Sequence, residues 1–367
     1  MIKYKVLHIF SSYSIGGAEK AMLFLATNLQ KSQKCDNIVA VPYGSKLYKK
    51  SIQQKFQTVP LKIMNSFDPV GVLKLIKLIK KYDVNIIHVH DGKLYWTALI
   101  AKLFCQKLKV IFHRRQDTRH NFISKNHYRF ADAIITVSQA VANGLIRYEK
   151  VKPDKIKAIY NGLDFEKFNN NINFDDIVKT YNLQHKIVVG TVGAIVDFKG
   201  KGQVHLIEAA KILRNEYQDL RYLIVGSGEG FEKQKAYAKK LDVEDIVYFT
   251  GYQEQVQKFI SSMSIFCLLS WDTEGMPNVV IEAEALEKPV IVTNIGGNPE
   301  SFLDEVTGIM IEPSSSLQLV QAIKRLVDNP ELAKQMGMAG KRFVEQNFIV
   351  DRAIENTLEV YNKVMKM

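Results

Sequence analysis

Trp271-Asp272-Thr273-Glu274-Gly275-Met276-Pro277-Asn278-Val279-Val280-Ile281-Glu282 follows the apolar run Ile265-Phe266-Cys267-Leu268-Leu269. A short, unbroken apolar run of this kind reads as a strand buried on both faces of a parallel sheet. Beyond Gly275 and Pro277 the spacing turns helical from Asn278 to Leu286, with Asn278 suited to capping that helix. Glu274 then lies in the turn, and Glu282 about two turns into the helix. Free N–H groups and a positive dipole end make such a turn an anion site. A carboxylate repels phosphate, so Glu274 and Glu282 suit sugar hydroxyls, which they accept as hydrogen bonds. The plainer alternative is two solvated cap residues, and the rest of the chain has to choose between them.

Outward from this stretch the same strand–helix alternation runs in both directions. Towards the N-terminus, Tyr4 to Phe10 reads as a strand, Ser11 to Gly17 as a loop, and Ala18 to Lys31 as an amphipathic helix. Strands follow near 37–41, 85–90, 109–113, 132–137 and 155–160, then near 186–194, 220–225, 246–250, 265–270, 289–293 and 307–311. Alternation of this kind means parallel, doubly wound sheets. An Asn-rich, weakly periodic stretch after Phe165 reads as a linker. The fold class is therefore α/β, with two doubly wound Rossmann-like domains. Residues 1–165 form the first, 166–185 the linker, and 186–346 the second, with a last helix at 347–367 returning to the first. Ligands of such sheets bind at the carboxyl ends of the strands, so the site is expected in a cleft between the domains.

Composition narrows the class. The chain has 367 residues, 47% of them hydrophobic, as expected of a soluble enzyme with two cores. No uncharged apolar run is long enough to span a membrane. Val6 to Phe10, interrupted by His8, makes a poor signal peptide. Cys35, Cys105 and Cys267 lack metal-ligand spacing and read as reduced thiols of a cytoplasmic protein. The net charge of +12 hides an asymmetry: residues 1–165 carry 28 Lys and Arg against 10 Asp and Glu. The second half is net acidic. A basic first half raises the possibility of a nucleic-acid binder, but no helix-turn-helix, ribonucleoprotein or zinc-finger signature supports it.

Several residue types converge on the predicted carboxyl ends. Gly16 and Gly17 open the first helix, where two amides can approach an anion. The loop lacks G-x-G-x-x-G spacing, which argues against a dinucleotide cofactor. Lys199 and Lys201 fall between a strand and a helix, where a lysine can neutralise a diphosphate. His88, His90 and His113 stand at strand ends, and Arg114, Arg115 and Asp117 follow the last of these. No D-x-D pair offers a carboxylate clamp for a divalent metal on a diphosphate.

Taken in order, these features resemble glycosyltransferase family 4, the retaining enzymes of the two-domain GT-B architecture. Glu274 and Glu282 fit that family's E-x7-E motif, with Gly275-Met276-Pro277 between them. Gly16-Gly17, Tyr160-Asn161-Gly162-Leu163-Asp164, Lys201-Gly202, Leu206-Ile207-Glu208-Ala209, Gly296-Gly297-Asn298-Pro299-Glu300 and Thr307-Gly308 fall in the family's sequence of motifs. The resemblance implies that Lys201 binds the diphosphate of a nucleotide-sugar donor, helped by amides at Gly17 and from Gly275 through Met276 and Pro277 to Asn278. It implies that Glu274 holds the sugar, Glu282 the nucleotide ribose, and that His113 faces the reacting sugar as the catalytic histidine. His90, Arg114, Arg115 and Asp117 are candidates for the acceptor. One departure stands out: Ala194 occupies the place where the family often has Arg, so Lys201 has less help with phosphate charge unless Lys199 or a first-domain Arg contributes.

The expected activity is thus metal-independent, retaining glycosyl transfer to a saccharide or lipid-linked acceptor, in cell-envelope polysaccharide or lipopolysaccharide assembly. The nucleotide sugar is a co-substrate, and no cofactor or metal is expected. A nucleotide-sugar epimerase of similar fold is the alternative enzyme. A further expectation concerns location. Val72, Leu75, Ile76 and Ile79 share one helical face, while Lys74, Lys77 and Lys81 share the opposite one. Lys46, Lys49, Lys50 and Lys55 add positive charge nearby. Such a face suits peripheral attachment to the anionic inner surface of the cytoplasmic membrane.

Overall fold

The computed structural model describes residues 4–116, 126–169 and 171–366. Its contacts divide the chain into two units, residues 1–162 with 350–367, and residues 163–349.

In the first unit, the strands are β1 (Tyr4–Ile9), β2 (Cys35–Val41), β3 (Gln57–Pro60), β4 (Ile86–Val89), β5 (Lys109–Arg114), β6 (Ala133–Thr136) and β7 (Ile156–Ala158). They pair in parallel in the order β3-β2-β1-β4-β5-β6-β7. Strand β3 was not anticipated. Only Val59 of its four residues is buried, and it ends in Pro60, which suits an edge and erases the apolar run by which buried strands are recognised. The inner strands are apolar on both faces because helices cover both. On one face Leu7, Ile9, Ile87, Val89 and Phe112 pack with Leu75, Ile79 and Ala98 of helices Pro69–Tyr82 and Tyr95–Leu103. On the other, Val6, Ile86, Ile111 and Ile135 pack with Ile354, Leu358, Tyr361 and Val364 of the last helix, Val350–Lys366. Each such aliphatic side chain removed from water contributes about 1.5–3 kcal/mol, so the last helix is a structural part of this unit.

In the second unit, β8 (Ile187–Val192), β9 (Leu220–Val225), β10 (Val247–Gly251), β11 (Ile265–Leu268), β12 (Val290–Thr293) and β13 (Gly308–Ile311) form a parallel sheet in the order β10-β9-β8-β11-β12-β13. The stretch expected as a linker belongs to this unit. It carries a helix, Asp175–Thr180, and buries Phe168, Ile177 and Leu183. Lys258 pairs with Asp176 at 3.0 Å, and the Tyr181 ring lies 5.8 Å from that of Tyr248. Its anchors are irregularly spaced among Asn residues, which is why no periodicity announced them.

Both sheets reverse their strand order beside their first strand, at β1–β4 and at β8–β11. Adjacent connections leave in opposite directions there, and ligands of doubly wound sheets settle at such points. No helix among the described residues is long and apolar enough to cross a membrane.

Candidate active site

Four histidines gather on one face of the first sheet. His8 and His88 are register partners on β1 and β4, His90 follows β4, and His113 stands near the end of β5. All four are buried, and neighbouring rings stack, His88 and His90 with centroids 4.3 Å apart. Burial pulls the His8 imidazole down to about 4 and holds His88, His90 and His113 well below the ordinary histidine value, with their mutual repulsion and Arg115 adding to the effect. All four are therefore neutral at pH 7, each with one N–H donor and one acceptor nitrogen.

The bonding partners fix which nitrogen is which in one chain. Arg115 can only donate, and its Nη2 lies 3.3 Å from His90 Nδ1. His90 Nε2–H then donates to His8 Nδ1 at 3.0 Å, and His8 Nε2–H donates to Asn37 Oδ1 at 3.0 Å. Asn37 Nδ2 closes the chain on the Ala26 carbonyl at 3.0 Å. Ring nitrogens of His8, His88 and His90 lie within 4.8 Å of one another, a spacing open to a metal ion. Each of their nitrogens is already committed to a hydrogen bond, however, and the Arg115 cation beside His90 opposes a second positive charge.

The neighbours of His113 fall into different places. Arg115 lies beside His90 and is drawn towards Glu19; burial lowers its guanidinium to about 10. Arg114 alternates to the opposite face of β5, where it is buried and hydrogen-bonds Tyr95, so it is not an open acceptor contact. Asp117 lies outside the described residues. Gly16 and Gly17 are not equivalent either. Gly16 caps helix Gly17–Lys31, and its N–H donates to Glu19 Oε2 at 2.9 Å. That amide is therefore spent in a capping box, and Gly17, exposed beside it, carries the open end of the helix. Ser11 in the same loop donates to Asp91, tying the β1 loop to the β4 loop.

In the second unit the carboxyl end of β11 is built around Glu274. Lys201 Nζ lies 2.5 Å from Glu274 Oε1, and Ser270 Oγ donates to the same oxygen at 2.6 Å. The Glu274 carbonyl accepts the Gly297 N–H at 3.0 Å. Two glycines make this close packing possible. Gly202 (φ +81°) starts helix Gln203–Leu213 where a side chain would collide with the Leu269 carbonyl. At Gly296 (φ +52°) a side chain would likewise collide with the Glu274 carbonyl. Lys201 and Glu274, read from the sequence as serving different ligand groups, are thus brought into one ion pair. Lys199 sits 4.6 Å over the Trp271 ring, and Trp271 Nε1–H donates to the Gly200 carbonyl at 3.1 Å. Ala194 is exposed nearby in the chain.

Helix Asn278–Ala285 begins with Asn278 as its first helical residue, and Pro277 takes the cap position without a side-chain acceptor. Asn278 therefore does not cap the helix, and Glu282 comes one turn in, not two. Gly275 and Met276 are buried in the turn before it.

Two family models match this architecture, "Glycosyltransferase Family 4" over residues 15–167 and "Glycosyl transferases group 1" over residues 174–343. The chain belongs to glycosyltransferase family 4. It is a glycosyltransferase of two Rossmann-like domains, the GT-B fold. The capsular polysaccharide biosynthesis glycosyltransferase CapM of Staphylococcus aureus is 29% identical over 323 residues, 82% of each chain. The UDP-Gal:alpha-D-GlcNAc-diphosphoundecaprenol alpha-1,3-galactosyltransferase of Escherichia coli is 28% identical over 289 residues, 72% of each chain. The crystal structure of a glycosyltransferase from Rickettsia africae superposes with a TM-score of 0.90 over 99% of both chains, at 22% identity.

In the glycosyltransferase these groups also touch residues that the sequence did not single out. Ser270 is the second hydrogen-bond donor to Glu274. Tyr361 of the last helix lies 2.7 Å from His88 Nδ1, and His88 Nε2 lies 3.1 Å from His113 Nδ1. His113, with Asn28, Tyr160, Asn161 and Thr357, lines a small cavity between the first and last helices. A partial signal existed for His8: it is the same residue type, at the same register position, as His88 on the adjoining strand.

Proposed function

We propose that this enzyme transfers a sugar from a nucleoside-diphosphate donor with retention of configuration and without a bound metal. The carrying observation is the Lys201–Glu274–Ser270 cluster at the carboxyl end of β11, beside β8 where the strand order reverses. Cleavage of the sugar–phosphate bond leaves a flattened, cationic sugar and a diphosphate with added negative charge. Preorganised positive charge and N–H dipoles lower that barrier. Lys201 supplies the charge, and the start of helix Asn278–Ala285 the dipoles. Glu274 holds the sugar hydroxyls, and Glu282 the ribose. The sugar C1–phosphate bond breaks as the acceptor oxygen bonds to C1 on the same face, and the acceptor proton passes to the departing phosphate. On this reading Glu274 is a binding group, bonded through one oxygen to both Lys201 and Ser270, and not the nucleophile of a retaining glycosidase.

The second unit takes the donor and the first the acceptor, a saccharide or lipid-linked saccharide of cell-envelope polysaccharide or lipopolysaccharide assembly. The names of the S. aureus and E. coli relatives, which specify capsule synthesis and a diphosphoundecaprenol acceptor, support this. So does the surface of the first unit. Lys74, Lys77, Lys80 and Lys81 are exposed along helix Pro69–Tyr82, and Met64, Phe67, Val70 and Leu73 are exposed beside its start. Apolar side chains next to a lysine face suit an anionic membrane surface, where each lysine contributes about 1 kcal/mol.

The test is turnover of a panel of nucleotide sugars, with and without a lipid-linked diphosphate saccharide, before and after chelation. Donor-specific product of unchanged anomeric configuration, insensitive to chelator, is expected. Inverted product, or activity restored only by a divalent metal, overturns the corresponding part. Donor isomerisation without transfer would establish the epimerase instead.

A further inference from the structure

We propose that Tyr361 and His88 are positioning residues that fix the tautomer of His113, so that its Nε2 carries the proton. The inference rests on the reading of His113 as the histidine that meets the sugar, and it concerns what that histidine presents.

The argument begins at Tyr361, in the middle of the last helix. Its side chain is fully buried, and burial pushes its phenol well above the usual tyrosine range, so the hydroxyl keeps its proton. Among the described residues that hydroxyl meets one partner, His88 Nδ1, at 2.7 Å. A buried O–H without an acceptor is costlier than an oxygen whose lone pairs are underused. Tyr361 therefore donates to His88 Nδ1. A neutral imidazole that accepts at one nitrogen donates from the other, so His88 Nε2–H points to His113 Nδ1, 3.1 Å away. His113 accepts there and must hold its own proton on Nε2. That nitrogen is buried and has no hydrogen-bond partner among the described residues.

Either polarity leaves one proton unmet, but at opposite ends. Reversed, it is the Tyr361 hydroxyl proton, on a fully buried side chain. As assigned, it is the His113 Nε2–H, and His113, unlike Tyr361, lines a cavity where a ligand can accept it. As assigned, His113 offers an N–H, the form that can donate to a sugar hydroxyl or ring oxygen. The partner that holds it in that form lies 273 residues from His88 in sequence. His8, His90 and Arg115 stack on or adjoin the pair, but their own nitrogens are used in the separate chain ending at Ala26. They pack against the relay without setting its direction.

The experiment is nitrogen NMR of the full chain carrying 15N-labelled histidine, with His113 assigned by its loss in His113→Gln. In the unsubstituted protein, His113 is expected to show a protonated Nε2 and an unprotonated Nδ1. Tyr361→Phe keeps the ring, 6.3 Å edge-on to Tyr4, and is expected to fold, as a melting curve verifies. In that variant the His113 signals shift towards a tautomer mixture, and kcat falls about tenfold with the donor KM unchanged, the equivalent of one neutral hydrogen bond. A proton on Nδ1 in the unsubstituted protein, or an unaltered His113 tautomer in Tyr361→Phe, overturns the proposal. The tautomer is read independently of turnover. If it behaves as expected while His113→Gln retains full activity, the positioning stands and the catalytic reading of His113 falls.

Discussion

Lys201 and Glu274 pose a question that one substitution answers, whether the lysine serves the donor or only its carboxylate partner. Their atoms meet at 2.5 Å, with the lysine side chain 35% exposed and the glutamate 13% exposed. A pair of this kind lies between an open surface pair, worth up to about 1 kcal/mol, and a buried one whose breaking costs about 3–5 kcal/mol. Lys201→Met should therefore cost about 1–2 kcal/mol of stability, which lowers the melting temperature by about 3–6 °C for a domain of this size. If Lys201 also contacts the diphosphate, a charge-assisted hydrogen bond worth about 1.5–3 kcal/mol is lost as well. The kcat/KM for the donor then falls about 10- to 150-fold, and the affinity for the nucleoside diphosphate falls with it. The double variant Lys201→Met/Glu274→Gln separates the two effects, because it leaves no unpaired carboxylate. It should recover most of the melting temperature and none of the affinity. Calorimetric titration of each variant with a nucleoside diphosphate makes the measurement. A lowered melting temperature with affinity and kcat/KM unchanged would show that Lys201 supports Glu274 and does not bind the donor.

Glu282→Gln should weaken donor binding with little loss of turnover, and Glu274→Gln should mainly lower turnover, since charge develops at the sugar; equal rises in KM alone would contradict that division. Sedimentation with anionic vesicles should carry the enzyme down at low salt and release it as salt rises, with Phe67→Ser and Leu73→Ser each weakening binding; no sedimentation at low salt would point to a soluble acceptor. Glu284 is fully buried, neither of its carboxylate oxygens has a hydrogen-bond partner among the described residues, and burial raises its carboxyl well above the ordinary value of 4.5. The folded state thus holds a proton that the unfolded chain gives up above about pH 4.5, so this residue's contribution to stability falls as pH rises. Glu284→Met should accordingly gain in melting temperature on the unsubstituted enzyme between pH 4 and pH 8, and a constant difference would mean that the acid is not protonated when folded.

The inner strands were legible because burial on both faces leaves an unbroken apolar run, as in Leu220–Val225, where the expected and observed limits coincide. The same logic fails at an edge. Gln57-Thr58-Val59-Pro60 buries one residue and pairs on one side only, so nothing in its composition separates it from a loop. It fails again between 166 and 185, where Phe168, Ile177 and Leu183 anchor the chain without a shared period. An element announces itself when many of its residues face the same environment in a regular rhythm. A few anchors among polar residues do not.

For the site, residue types were legible and partnerships were not. Three histidines at the ends of two strands, a lysine before a helix and an acid in a turn are visible along the chain, because strand ends can be located from the apolar runs. Which groups touch depends on register and on distant segments. Lys201 and Glu274 are 73 residues apart; Tyr361 reaches His88 from a helix that returns to the first sheet. The exception is instructive. Gly16 and Glu19 stand at capping-box spacing, a purely local pattern, and the Gly16 amide could have been recognised as taken by Glu19 from those four residues alone. A glycine pair before a helix offers its amides to a ligand only after its own capping acid has been served. Here that leaves Gly17 as the exposed end, with Arg115 drawn to the acid that displaced Gly16 from the role.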